Sequence, residues 1–253
     1  MEYEHLIYSK AGGVATVTLN RPEVLNALNN RLRYEICMAL QESGDDEEVR
    51  VVVLRGEGRA FSPGDDLRGT AAPVPLSQQR GPGAVVVALR NLLKPVVAQV
   101  HGYAYGAGLE MVMGSDFAIA AEGTRFASPF VKRGIGWGGN MLPRFIGMRR
   151  ATEMLLTGEP IGAQQAADWG LINRVVAPER LEEEVAELAG RLATGATVAI
   201  GAVKTTLTRG WNLSVEEGYN LSEFQNARAG RAEDAAEGRA AFRERREPGF
   251  TGR

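Results

Sequence analysis

In the segment His101-Gly-Tyr-Ala-Tyr-Gly-Ala-Gly-Leu-Glu110, a run of small residues is followed closely by a carboxylate. If Gly106, Ala107 and Gly108 open a helix, their unpaired backbone N–H groups favour a developing negative charge. Their small size lets a ligand approach the main chain closely. Glu110 follows about one turn on, within reach of the same ligand. Fixed donors aimed at an oxygen, beside a carboxylate that takes or gives a proton, suit acid–base chemistry on a carbonyl compound. A second glycine-marked corner, Ala60-Phe-Ser-Pro-Gly-Asp-Asp-Leu67, turns tightly at Pro63-Gly64 and aims the N–H of Asp65 outward. The donors of Asp65 and Ala107 can then converge on one oxygen. Taken alone, the second corner is better read as a surface turn whose Asp pair caps the next segment. Neither corner contains a nucleophile elbow, a phosphate-binding P-loop or a dinucleotide fingerprint.

These corners need strands and helices to hold them. Gly13 to Asn20 alternates and is β-branched, which predicts a strand stopped by Arg21-Pro22. Leu28, Leu32, Ile36 and Leu40 recur every fourth residue, the stripe of a helix capped by Asn29 or Asn30. Val51–Leu54, Pro95–Val100 and Asp116–Ala121 are apolar runs of buried-strand length, and Ala84–Leu93 reads as a helix. Ala71–Gly83 is polar, with Pro and Gly, and is expected to be a mobile loop near the site. Alternating strands and helices over the first two thirds predict an α/β fold with buried parallel strands. Beyond about residue 196 the pattern turns helical: Val203, Leu207 and Trp211 form a stripe, and Ser214-Val-Glu-Glu217 is a capping box for a helix that Gly230 can close.

The chain has 253 residues, 24% charged and 44% hydrophobic, with a formal net charge of −2, as expected for a globular protein that is not a nucleic-acid binder. Its longest apolar stretch, Ala84–Val100, is broken by Arg90, Asn91, Lys94 and Pro95, so no membrane span is expected. The start lacks the features of a signal peptide. Cys37 is the single cysteine and His5 and His101 the two histidines, so neither an internal disulfide nor a zinc site is expected, and the cytoplasm is the default setting. The basic cluster Arg239–Arg246 reads as a solvated helix face.

Seven motifs in order make the reading specific. They are Arg21-Pro-Glu-Val-Leu-Asn-Ala-Leu28, Ala60–Leu67, Pro95–Glu110, Ser115-Asp-Phe-Ala-Ile-Ala120, Leu156-Thr-Gly158, Ala166-Ala-Asp-Trp-Gly-Leu-Ile-Asn-Arg-Val175 and Glu237-Gly-Arg-Ala-Ala-Phe242. Together they resemble the enoyl-CoA hydratase/isomerase family, the crotonases, over nearly the whole chain. The resemblance implies an α/β, crotonase-like fold: a spiral of ββα units over residues 1–195, and a helical C-terminal trimerisation region over 196–253. It implies a homotrimer or a hexamer of paired trimers. It also implies an acyl-CoA thioester as substrate, with no metal or redox cofactor, the coenzyme A belonging to the substrate.

Carried onto this sequence, the two oxyanion-hole N–H groups fall at Asp65 and Ala107. Alanine stands where most relatives have glycine, and it keeps the N–H. Val24, Leu25, Asp66, Leu67 and Arg68 fall along the coenzyme A, and Phe242 and Arg245 toward its nucleotide end. Glu110 matches the first of two glutamates that hydratase-type relatives use. The second falls on Phe130, and a third acidic position of some isomerase-like relatives falls on Gly138. Phe130 and Trp137 are expected to wall the acyl pocket. The expected function is therefore hydratase or double-bond isomerase chemistry through a thioester enolate, with Glu110 as acid and base. Other enolate chemistry (hydrolysis, decarboxylation, ring isomerisation) and a non-catalytic acyl-CoA-binding protein are the alternatives that loss of the second glutamate raises.

Overall fold

The structure is a computed structural model that describes residues 2–68 and 75–253. A hairpin of β1 (Leu6–Ala11) and β2 (Val14–Leu19) opens the chain. Helix α1 (Asn30–Asp45) follows, with Asn29 as its cap: the Asn29 side chain accepts the Leu32 N–H at 2.8 Å. Leu32, Ile36 and Leu40 form its buried stripe, whereas Leu28 lies ahead of the helix. Next come β3 (Val51–Gly56), α2 (Ala84–Asn91), β4 (Val96–Val100), β5 (Tyr103–Tyr105) and α3 (Ala107–Gly114). Then follow β6 (Phe117–Ala121), β7 (Arg125–Ala127) and α4 (Leu142–Thr157), which is broken at Gly147, and β8 (Ile161–Gly162), α5 (Ala163–Asp168) and β9 (Arg174–Val176). Helices α6 (Leu181–Ala193), α7 (Thr197–Arg209), α8 (Val215–Ala229) and α9 (Glu233–Glu244) complete the chain. Of the loop expected over Ala71–Gly83, residues 71–74 lie outside the described residues, and the remainder carries one 3-10 turn, Leu76–Gln78.

A six-stranded sheet runs β1-β2-β3-β4-β6-β9, parallel except for the opening hairpin, beside a three-stranded sheet β5-β7-β8. The winding is regular. After β4, the chain crosses to β5 in the small sheet and then enters α3; after β6 it crosses to β7 before α4. Ser62, bridged to Ala104, makes the same crossing after β3. These repeated strand–strand–helix turns are the ββα spiral. Both faces of the large sheet are covered, which explains why its strands read as continuous apolar runs. Val52, Leu54, Ala98 and Val100 pack toward α1 and α3, while Val51, Val53, Val97 and Ile119 pack on Leu181, Val185 and Leu188 of α6.

The C-terminal helices are tied to this core by polar groups. Lys204 of α7, almost fully buried, contacts Asp116 Oδ2 at 2.7 Å and donates to the carbonyls of Leu89 and Lys94 at 3.0 Å each. Arg50 donates to Thr197 Oγ1 at 2.8 Å, to Phe250 O at 3.0 Å and to Gly195 O. The Ser214–Glu217 capping box forms, and Gly230 caps α8. The Val203–Leu207–Trp211 stripe is exposed, because it borders an open cavity of about 1100 Å³ between α2, α4 and α7 instead of meeting a covering element.

Candidate active site

The corner before α3 is shaped by two glycines with different reasons. Gly106 has φ 51° and ψ −118°, a conformation closed to ordinary side chains, and donates its N–H to Ala127 O at 2.9 Å. Gly108 corrects the expectation of ligand approach: a Cβ there would lie 2.4 Å from Ser62 O, so packing of α3 on the Ser62 strand requires the glycine. Ala107 is the first residue of α3, and among the described residues its N–H has no hydrogen-bond partner.

The second corner is pinned by Leu28. Its N–H donates to Gly64 O at 2.8 Å and its carbonyl accepts the Asp66 N–H at 2.9 Å. In a parallel bridge, the residue between those two turns its own N–H to the other side, and Asp65 is that residue. Its N–H is likewise unpartnered among the described residues. The two corners abut: a Cβ on Gly64 would stand 3.2 Å from Ala107 N. Asn26, buried in a left-handed conformation, supports the corner, accepting Arg21 N–H at 2.8 Å and donating to Glu57 O and Ala60 O at 2.9 and 2.8 Å.

Glu110, in the first turn of α3, is half-buried, and this burial pushes its carboxyl up to about 7. The Asp65 carboxylate adds a smaller upward push, and the Trp137 indole N–H, donating to Glu110 Oε1 at 2.6 Å, pulls in the opposite direction. Asp65 itself is held by Arg33, whose Nη2 lies 2.6 Å from Oδ1. Asp66 turns its carboxylate inward to Arg21 at 3.1 Å.

Two cavities meet at this point, sharing Ile135 in their walls. The first, about 440 Å³, is lined by Val24, Leu25, Asp65, Asp66, Leu67 and Arg68, and also by Gly106 and Phe130. The second, about 700 Å³, holds Glu110 and Trp137 among Val86, Val87, Met141 and Leu155. Phe130 therefore stands in the first cavity instead of walling the second. Its ring lies 3.3 Å from where a Gly106 Cβ would be, at the corner between the two. Phe242, fully exposed on α9, and Arg245 line neither cavity. Among the described residues no group of three or more His, Cys, Asp or Glu side chains is placed to hold a metal ion, and no helix is long and apolar enough to cross a membrane.

Three site residues and one side-chain role were not legible in the sequence. Arg59 and Arg133 put cations on the first cavity. An expected anionic ligand was the available signal for Arg59, which directly precedes the Ala60–Leu67 motif. Arg33 and the polar role of Trp137 left no signal, because each meets its partner across about thirty residues of chain.

Comparison with known proteins finds relatives along nearly the whole chain. The family model for enoyl-CoA hydratase/isomerase matches residues 9–253. The 1,2-epoxyphenylacetyl-CoA isomerase of Escherichia coli K12 is 36% identical over 251 residues, 95% of this chain and 96% of the relative. The carnitinyl-CoA dehydratase of the same strain is 35% identical over 99% of both chains. The crystal structure of an enoyl-CoA hydratase/isomerase from Mycobacterium paratuberculosis, 33% identical, superposes with a TM-score of 0.91 over the full length of both chains.

Proposed function

The chain belongs to the enoyl-CoA hydratase/isomerase family and is an acyl-CoA-processing enzyme of the isomerase or lyase type, and we propose that it shuttles a proton between carbons of an acyl-CoA thioester through an enolate. The carrying observation is the unpartnered N–H pair of Asp65 and Ala107 at abutting corners, with the Glu110 carboxyl one turn behind. The thioester oxygen takes the place between the two amides, where each donor stabilises the developing oxyanion by roughly 3–4 kcal/mol. Glu110, poised near neutrality, removes a proton from one carbon and returns it to the other, so one carboxyl completes the cycle. The Phe130 ring at the Gly106 corner supports a shuttle over water addition, since an apolar ring there cannot orient water as a second carboxylate would.

The thioester's coenzyme A end lies in the first cavity, where Arg59, Arg68 and Arg133 complement its phosphates and Val24, Leu25 and Leu67 its apolar parts. The acyl group enters the second cavity. In this reading the chemistry needs no metal or redox cofactor, the chain assembles as a trimer or paired trimers, and it works in the cytoplasm.

Incubation with 3-enoyl-CoA and ring-bearing acyl-CoAs in deuterium oxide tests this. The conjugated enoyl absorbance should appear as a proton leaves Cα and one is returned to Cγ, with deuterium entering at Cγ of the product as the proton on Glu110 exchanges with solvent. Glu110→Gln should slow both by about 10²–10⁴-fold. Binding without exchange across the panel would make the chain a carrier. Release of free thiol would make it a hydrolase.

A further inference from the structure

Trp137 lies in the glycine-rich segment Gly134–Gly139, is 46% exposed, and sits beside Gly83 at the start of α2, where an added Cβ would stand 3.9 Å from the indole. A residue serving only as an apolar wall has no reason to spend its single polar atom on an acid. Here the indole N–H donates to Glu110 Oε1 at 2.6 Å, across the mouth of the acyl cavity. We propose that Trp137 is a positioning residue: its N–H fixes one oxygen of Glu110 and presents the other to the substrate carbons. The inference rests on Glu110 being the acid–base group.

The geometry supports a division of labour. A carboxyl on a three-bond side chain has several rotamers, and a single fixed donor at one oxygen selects among them. Indole is a donor only, so it cannot take the proton Glu110 carries, and the proton is left for the substrate. The bond also favours the ionised carboxylate, opposing burial. The charged group acting on Glu110 from the opposite corner is the Asp65 carboxylate, itself paired with Arg33. Removing the indole N–H therefore leaves Glu110 facing only burial and a like charge.

Trp137→Phe keeps an aromatic wall and removes the donor, whereas Trp137→Ala removes both. In the first variant, kcat should fall about tenfold while KM stays within about twofold, as expected for a misplaced acid–base group. The inflection of kcat/KM against pH should move upward from its wild-type position. Trp137→Ala should show the same displaced inflection together with a raised KM. A wild-type pH profile and kcat in Trp137→Phe would reduce Trp137 to a wall and overturn the proposal.

A second measurement needs no turnover. The chain has three tryptophans, so Trp169→Phe with Trp211→Phe leaves Trp137 as the sole emitter. Its fluorescence should step as Glu110 ionises near pH 7, and the step should vanish when Glu110→Gln is added. Absence of the step in an active enzyme overturns the proposal. A clear step in a protein that turns over no acyl-CoA supports the bond and instead removes the shuttle reading.

Discussion

Glu110 carries a cost that its surroundings impose. Burial lifts its carboxyl from the ordinary 4.5 to about 7. Between those values the folded protein holds a proton that the unfolded chain has released, so stability falls as pH rises through this window, and the full cost is present above about pH 7. Glu110→Gln removes the charge that burial penalises. The variant should be more stable than wild type at about pH 8 by on the order of 1–2 kcal/mol, allowing for partial solvent screening, and the difference should shrink toward about pH 4. Urea denaturation at the two pH values measures it. Equal stabilities at both would mean that Glu110 ionises as freely in the fold as in solution. A group that destabilises the fold while serving the chemistry is the expected signature of an acid–base residue.

Among the elements, α7 is held to the spiral by a buried pair instead of by apolar packing alone. Burial pushes Asp116 up and Lys204 down, and each restrains the other's shift. Lys204 also satisfies the carbonyls of Leu89 and Lys94 at the end of α2 and the start of β4. Lys204→Met should cost about 3–5 kcal/mol, because it strands the Asp116 charge and two carbonyls. Adding Asp116→Asn should recover part of that loss, and a double-mutant cycle in urea reads the coupling. A loss below about 1 kcal/mol would show the pair to be a minor fastening. The site-forming elements follow the same logic at closer range: Asn26 joins the loop after β2 to the loop after β3, so that Leu28 can present Asp65.

At the scale of the whole molecule, the helical end of the chain displays apolar surface without a partner. Trp211, Val215, Tyr219, Phe224 and Phe242 are each more than half exposed, a density suited to association. Light scattering after size-exclusion chromatography should show three or six chains, and Tyr219→Glu with Phe224→Glu should shift the protein toward single chains. A wild-type single chain at micromolar concentration would overturn the trimer proposal.

Local rules were enough to place much of this protein. Periodicity marked α1 and the strands β2, β3, β4 and β6 of the large sheet. Side-chain capping marked Asn29 and Ser214, and the order of motifs marked the family and singled out Glu110, Asp65 and Ala107, because each of these signals is complete within a few consecutive residues. The strands β5, β7 and β8 were not legible, since two or three residues are too few to show an alternation. Only the closure of the spiral decided the rest. It set Gly108 against Ser62, gave Asp65 to Arg33, and brought the Trp137 N–H onto Glu110. Each of those contacts joins residues many positions apart, and a separation of that size in sequence becomes an approach of a few ångströms only when the ββα turns stack. The sequence by itself thus named Glu110 as the candidate acid, and the tertiary structure decided what holds it.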